Sequence, residues 1–300
     1  MRSACADVIL AAVDDLPSDA CGAFVVELDD VHVGSVFVER NQVCWAAAAG
    51  LRRRLLDLLR ESLIEMLTPA DMEEMYQRCS EEGRRIGEEL VSRSLVQGDI
   101  MRAAIKQHTI ESLIALPEQV GERITWVPHR AEGYHPRFTF PPVELAIGVN
   151  ARLFATEAAG AELALAVLDD GIPGAAFARD DDGDPVPVRA VGEHATIADL
   201  LDLGTWAEAA LGASPGFSPE VLARAVESAT GKTHIAWQTS RFLVYAAVIS
   251  DRTTLARTVA AIQNRNFPLI LSRRASRTAS SNQTEEETDT WQLQKRLSPS

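Results

Sequence analysis

The feature that most constrains the fold is a change of apolar period at Gly50. Before it, apolar residues fall in three short runs, Ala23–Leu28, Gly34–Val38 and Gln42–Ala46, parted by Asp29-Asp30 and Arg40-Asn41. Such runs predict a small antiparallel meander, because β-branched and aromatic residues fit a pleated surface while Asp and Asn tolerate tight turns. After it, Leu51, Leu55, Leu58, Leu59, Leu63 and Met66 recur at helical spacing, with Arg52, Arg53, Arg54 and Glu61 on other faces. A helix therefore packs behind the strands.

The segment Thr68-Pro69-Ala70-Asp71 reads as a helix start, with Thr68 as cap, Pro69 in the first turn and Asp71 as the answering carboxylate. Ile86–Val91 and Leu95–Ile100 read as short helices around a polar turn, with helix continuing through Met101 to Leu116. Ile124–Val127 and Arg137–Phe140 read as strands before Pro141-Pro142 breaks the chain. From Val143 a new unit begins, in which Leu153, Ala159, Leu163, Ala166, Val167 and Leu168 predict a helix that stops at Asp169-Asp170-Gly171. Gly174–Arg179 and Val186–Val191 flank Asp180-Asp181-Asp182-Gly183-Asp184, a hairpin signal. Helices are expected at Thr196–Leu211, at Pro219–Ser228 behind a Ser218 cap, and at Leu255–Ile262, with paired strands at His234–Thr239 and Phe242–Ile249. Beyond Leu271 the chain turns to Ser, Thr, Arg and Glu, which predicts a disordered tail. The reading is an α+β protein of two domains, 1–142 and 143–270, each with a sheet and helices, followed by a tail at 271–300.

Composition narrows the function classes. With 29 Lys plus Arg against 43 Asp plus Glu, the formal net charge is −14, which repels phosphate backbones and anionic lipid. No apolar run reaches the ~20 residues that a membrane-spanning helix requires. Nucleic acid and membrane insertion are therefore not expected. Val8–Val13 lies between Asp7 and Asp14-Asp15, and reads as an amphipathic helix rather than a signal peptide. Cys5, Cys21, Cys44 and Cys79 form no C-x-x-C pair, which fits reduced thiols in a cytoplasm.

Several motifs invite a chemical reading and fail on spacing. Gly231-Lys232-Thr233 matches the end of a phosphate-binding loop, but Val226 stands where the earlier glycine must be. Reading Asp180, Asp182 and Asp184 as calcium ligands puts Pro185 where the loop needs its glycine. His129 and His135, with Glu132 between them, do not share one helical face and have no nearby thiolate for zinc. No G-x-S-x-G elbow occurs. Arg52-Arg53-Arg54 reads as a solvated helical face or a partner contact, and Arg273-Arg274-Ala275-Ser276 as part of a flexible terminus.

The first block resembles the PATAN-type bacterial signalling domain. The residues that carry this are Cys21–Val26, Gly34–Ala46, Ile86–Val91, Leu95-Val96, Ala104–Gln107 and Phe138–Phe140. Asn41 stands where that family usually has a turn glycine; Asn tolerates the left-handed conformation, so the turn can survive. The second block resembles a roadblock/LC7 domain, in which helix, hairpin, helix, strands and terminal helix build a sheet flanked by helices. Its carriers are Leu168–Phe177, Asp182-Gly183-Asp184 and Tyr245–Arg252. The resemblances imply a non-enzymatic bacterial signalling adaptor without cofactor or metal, whose first block docks a partner such as a response-regulator component. They imply that the second block forms a homodimer or modulates a Ras-like GTPase. Arg52, Arg53 and Arg54 on one helix, and Thr253 and Arg257 on the terminal helix, are the expected interaction residues. The alternatives are a structural subunit of a cytoplasmic assembly, and an enzyme built from scattered groups such as His129, Glu132, His135 and Asp184.

Overall fold

The computed structural model describes residues 4–51, 55, 57–59, 68–82, 85–117, 123–166, 168, 171–194, 196–211, 223–227, 231–240, 243–264, 269–273 and 290–291. It is α+β and divides into two compact units, Arg2–Val149 and Asn150–Ser300, the latter with Met1. The division falls inside one helix, Pro142–Leu153, at whose start the sequence reading placed its boundary.

In the N-terminal unit, helix α1 (Ala4–Asp14) precedes strands β1 (Cys21–Leu28), β2 (Val31–Glu39) and β3 (Gln42–Ala48). Helices α2 (Pro69–Glu81), α3 (Ile86–Ser92) and α4 (Gly98–Ala115) lead to β4 (Arg123–Pro128), a 3-10 turn at Pro136–Phe138 and α5 (Pro142–Leu153). The sheet order is β3-β2-β1-β4, all pairs antiparallel. Both hairpin turns are two-residue left-handed turns: Asp29 and Asp30 have φ of 51° and 61°, and Arg40 and Asn41 both have 56°. These geometries match the right-handed twist of the flanking strands. Asn41 also donates from Nδ2 to the Leu16 carbonyl at 2.7 Å. Ile9, Leu10, Val26, Val36, Leu90, Met101, Leu113, Phe140 and Leu145 are fully or almost fully buried.

Helix boundaries follow local chemistry. The Thr68 hydroxyl accepts from the Asp71 amide at 3.2 Å, and Asp71 Oδ2 accepts from the Thr68 amide at 2.8 Å, the expected capping box. Leu55 and Asp57–Leu59 are helical as the period predicts, whereas Arg52, Arg53 and Arg54 lie outside the described residues. Two expectations are corrected here. The helix expected from Leu95 through Leu116 begins only at Gly98 and ends at Ala115, with 86–92 separate before it. Arg137–Phe140 is not a strand: Pro136 opens a 3-10 turn, the Arg137 amide donates to His135 Nδ1, and only Phe140 makes a bridge, to Val43.

The C-terminal unit contains α6 (Ala155–Leu165), β5 (Gly174–Arg179), β6 (Pro185–Val191), α7 (Ile197–Leu211), β7 (Ala223–Glu227), β8 (Thr233–Ser240), β9 (Leu243–Ile249), α8 (Arg252–Asn264), β10 (Leu269–Arg273) and β11 (Thr290–Trp291). The order is β11-β10-β7-β8-β9-β5-β6, antiparallel except where β10 runs parallel to β7. Helices α6 and α8 cover one face, where Ala161, Leu165 and Ile262 join Ala176, Ala178, Ile235, Trp237, Tyr245 and Ala247 in one cluster. Helix α7 covers the other face, its Gly204 set against Phe177 and Pro185. The edge strand β6 carries two prolines, Pro185 and Pro187.

Three further differences from the sequence reading concern this unit. The helix expected from Leu153 to Leu168 spans Ala155–Leu165, and Leu153 instead ends the preceding helix, because Phe154, with φ of −112° and ψ of 52°, leaves helical geometry. Residues 223–227 of the expected Pro219–Ser228 helix are strand β7, because pairing with β8 overrides a weak apolar period; residues 212–222 lie outside the described residues. Within the expected tail, 271–273 and 290–291 pair at the sheet edge, and the rest lies outside the described residues. Among the described residues no helix is long and apolar enough to cross a membrane.

A Cβ at Gly204 would stand 2.8 Å from Phe177 Cδ1 and 3.0 Å from Pro185 Cβ. Gly204→Leu is therefore expected to lower stability by about 1–3 kcal/mol in urea denaturation, the usual cost of overpacking.

Candidate functional site

The N-terminal unit holds an open, mainly apolar groove of about 300 Å³. Strand β3 supplies Cys44 and Trp45, helix α4 supplies Ile105, and the start of α3 supplies Ile86 and Gly87. Tyr134, His135 and Phe138 close it from the segment after β4, and Leu55 from the helix after Gly50.

Two charged side chains fix that segment. Glu39, 6% exposed at the end of β2, accepts from the amides of Gly133 and Tyr134 at 3.1 and 3.3 Å. Arg85, the residue before α3, donates to the carbonyls of Glu132 and Gly133 at 2.8 and 2.9 Å. Its guanidinium lies 3.9 Å above the Tyr134 ring and also pairs with Glu88 and Glu132. A planar fork with five donors suits this combination of stacking and carbonyl recognition.

The electrostatics of the groove disfavour ionisation of Cys44 and Tyr134. Burial first, and then the Glu39 charge, push the Cys44 thiol up to about 12, while Arg85 opposes them. Burial and then the Glu132 charge raise the Tyr134 phenol, again against Arg85. Both groups stay protonated, so the groove offers an apolar floor with a cationic and phenolic rim. Such a surface accommodates an apolar or aromatic side chain.

In the C-terminal unit a second cavity of about 480 Å³ lies between α7 and the ends of β8 and β9, lined by Trp206, His234, Lys232, Asp202 and Val248 among others. The His234 ring lies 5.2 Å from that of Trp206, and burial followed by Lys232 lowers its pKa. Asp199, also at this cavity, accepts from the Thr196 amide and hydroxyl at 3.1 and 2.8 Å as a helix cap.

The residues singled out from sequence have separate positions. Thr253 and Arg257 are exposed on α8; Arg257 donates to Thr254 Oγ1 at 3.4 Å. His129 Nδ1 lies 2.8 Å from the Arg130 carbonyl, Glu132 pairs with Arg85, and His135 accepts from the Arg137 amide. Asp184, in the other unit, donates its amide to Asp180 Oδ1 at 2.8 Å within the acidic loop. Gly231-Lys232-Thr233 joins two antiparallel strands rather than a strand and a helix, which removes the phosphate-loop context. Among the described residues no group of three or more His, Cys, Asp or Glu is placed to hold a metal ion. Sequence reasoning missed Glu39, Arg85 and Tyr134, whose contacts span 47 to 95 positions and leave no local signal. No family model, curated protein or solved structure matches the chain.

Arg85→Ala removes two hydrogen bonds and a cation–π contact, and is expected to cost about 1–2 kcal/mol in denaturant titration. Arg85→Lys is expected to recover little of it, because an ammonium cannot reproduce the fork. In the native protein at about pH 8, iodoacetamide labelling followed by mass spectrometry is expected to leave Cys44 unmodified, since alkylation requires the thiolate.

Proposed function

We propose that the chain is a non-enzymatic bacterial signalling adaptor that works through protein–protein contact. In this reading the N-terminal unit is PATAN-like and docks a partner, for which a response-regulator component is the leading class. The C-terminal unit is roadblock/LC7-like, forms a homodimer and modulates a Ras-like GTPase.

The observation that carries the reading is the order of elements in the C-terminal unit. Helix α6, the β5–β6 hairpin, helix α7, strands β7 to β9 and helix α8 follow one another around one sheet. That is the helix, hairpin, helix, strands and helix order that the roadblock resemblance implies. The meander of β1 to β3, the helices after it and the closing Phe140 bridge support the PATAN-like reading in the same way. The apolar groove gives the first unit a place to receive an apolar side chain of a partner. The exposed Thr253 and Arg257 give the second a polar surface on α8.

Light scattering during size-exclusion chromatography of the full chain, with and without GTP-loaded Ras-like GTPases of the source cell, tests the proposal. A dimer that co-elutes with a GTPase is expected. Arg257→Glu is expected to weaken that co-elution about tenfold, a loss of ~1.4 kcal/mol. A monomer that retains no GTPase defeats the roadblock part of the reading, and concentration-dependent growth beyond a dimer favours a structural subunit instead.

A further inference from the structure

Helix α4 lies on β3 through a contact that is chemically unlike the rest of the N-terminal core. The His108 ring stacks on Trp45 with centroids 4.3 Å apart and planes 17° from parallel. His108 is 7% exposed, and its Nδ1 has no hydrogen-bond partner among the described residues. The same holds for the hydroxyls of Thr109, the next residue, and Ser112, one turn on, both fully buried. Three neighbouring polar side chains of α4 are thus buried with polar atoms that no described residue satisfies, which carries a cost in stability.

We propose that this contact is an acid-released latch, in which protonation of His108 parts its ring from Trp45 and loosens α4 from the sheet. Two effects of opposite sign meet at the ring. An imidazolium on the Trp45 face gains a modest cation–π attraction. Burying an ion without a counter-charge costs more than that attraction returns, so the charged ring is driven toward water.

The anion that favours the charged ring is outweighed by the cost of burial. Helix α4 itself contributes Glu111, the one charge that favours the protonated ring, but Glu111 Oε1 also accepts from Gln107 at 2.9 Å. Of the elements packed on α4, β3 brings Cys44, a thiol that stays neutral, and α3 brings Glu88 and Glu89, paired with Arg85 and Arg93. The 3-10 turn brings Arg137, paired with Asp99, and α1 brings Asp7 and Asp14. From α5, Glu144 is held by Arg102 and Lys106. Burial outweighs Glu111 and lowers the His108 pKa from its ordinary 6.5. The folded state thus favours the neutral ring, and the resulting stability is complete above 6.5 and lost as pH falls from there through the folded value.

The latch extends beyond the proposed function but touches it at one point. Trp45 and Ile105, one turn before His108, both line the groove, so release of α4 alters the wall to which the adaptor reading assigns a partner. The test therefore uses no partner.

Hydrogen exchange of the full chain at about pH 7.5 and pH 5, corrected for intrinsic rates, reads the latch directly. The α4 amides are expected to lose protection several-fold relative to those of β1 and β2. His108→Phe keeps a ring on Trp45 without a titrating nitrogen, and is expected to abolish the difference. An NMR titration of the His108 ring in the unmodified protein needs no variant and is expected to report a value below 6.5. Equal loss of protection across the unit, a difference that persists in His108→Phe, or a ring that titrates at or above 6.5 overturns the proposal.

Discussion

Burial of the C-terminal sheet on both faces is the constraint on which the rest of that unit depends. Strands covered by helices on each side cannot alternate apolar with polar residues, so β5 and β9 read as nearly continuous apolar runs. Such runs leave the register underdetermined by hydrophobicity alone, because a shift of one residue exchanges one apolar face for another. Shape then sets the register. Alanines at 175, 176, 178, 236, 246 and 247 keep the sheet thin, and the few large rings fall at fixed places. Trp237 sits opposite Tyr245, their rings 5.3 Å apart and 13° from parallel, and Phe177 fills the space left by Gly204.

The N-terminal unit solves a different problem, which is how to hold an irregular segment without regular hydrogen bonding. Backbone groups outside helix and sheet need partners, and Glu39 and Arg85 provide charge-assisted bonds to the amides and carbonyls of residues 132–134. The two charges also balance near Cys44, where Glu39 disfavours the thiolate and Arg85 favours it. Burial decides the outcome. Glu39 and Arg85, which hold the edge of the groove, are thus committed to structure.

How much of this could be read from the sequence depended on range. The turns at Asp29-Asp30 and Arg40-Asn41, the box at Thr68 and Asp71, and the Asp180–Asp184 hairpin were legible because each is decided within about five residues. Residues 223–227 were misread because a five-residue strand carries almost no period of its own and is defined by its neighbours. The 3-10 turn at Pro136 was misread because two aromatic residues in four imitate a strand. The groove was not legible at all: its holding contacts join residues up to 95 positions apart, and Arg85 and Glu39 look like ordinary surface charges in the chain.

The prolines of β6 have a consequence for behaviour in concentrated solution. Proline on an edge strand turns its nitrogen toward solvent and has no hydrogen to offer. Two of the seven residues on this flank, Pro185 and Pro187, therefore give an approaching extended peptide no N–H to pair with. Ribbon-like growth by strand addition is disfavoured there. The unit can carry a strongly apolar, alanine-rich sheet at high copy number without that side becoming a seed for aggregation.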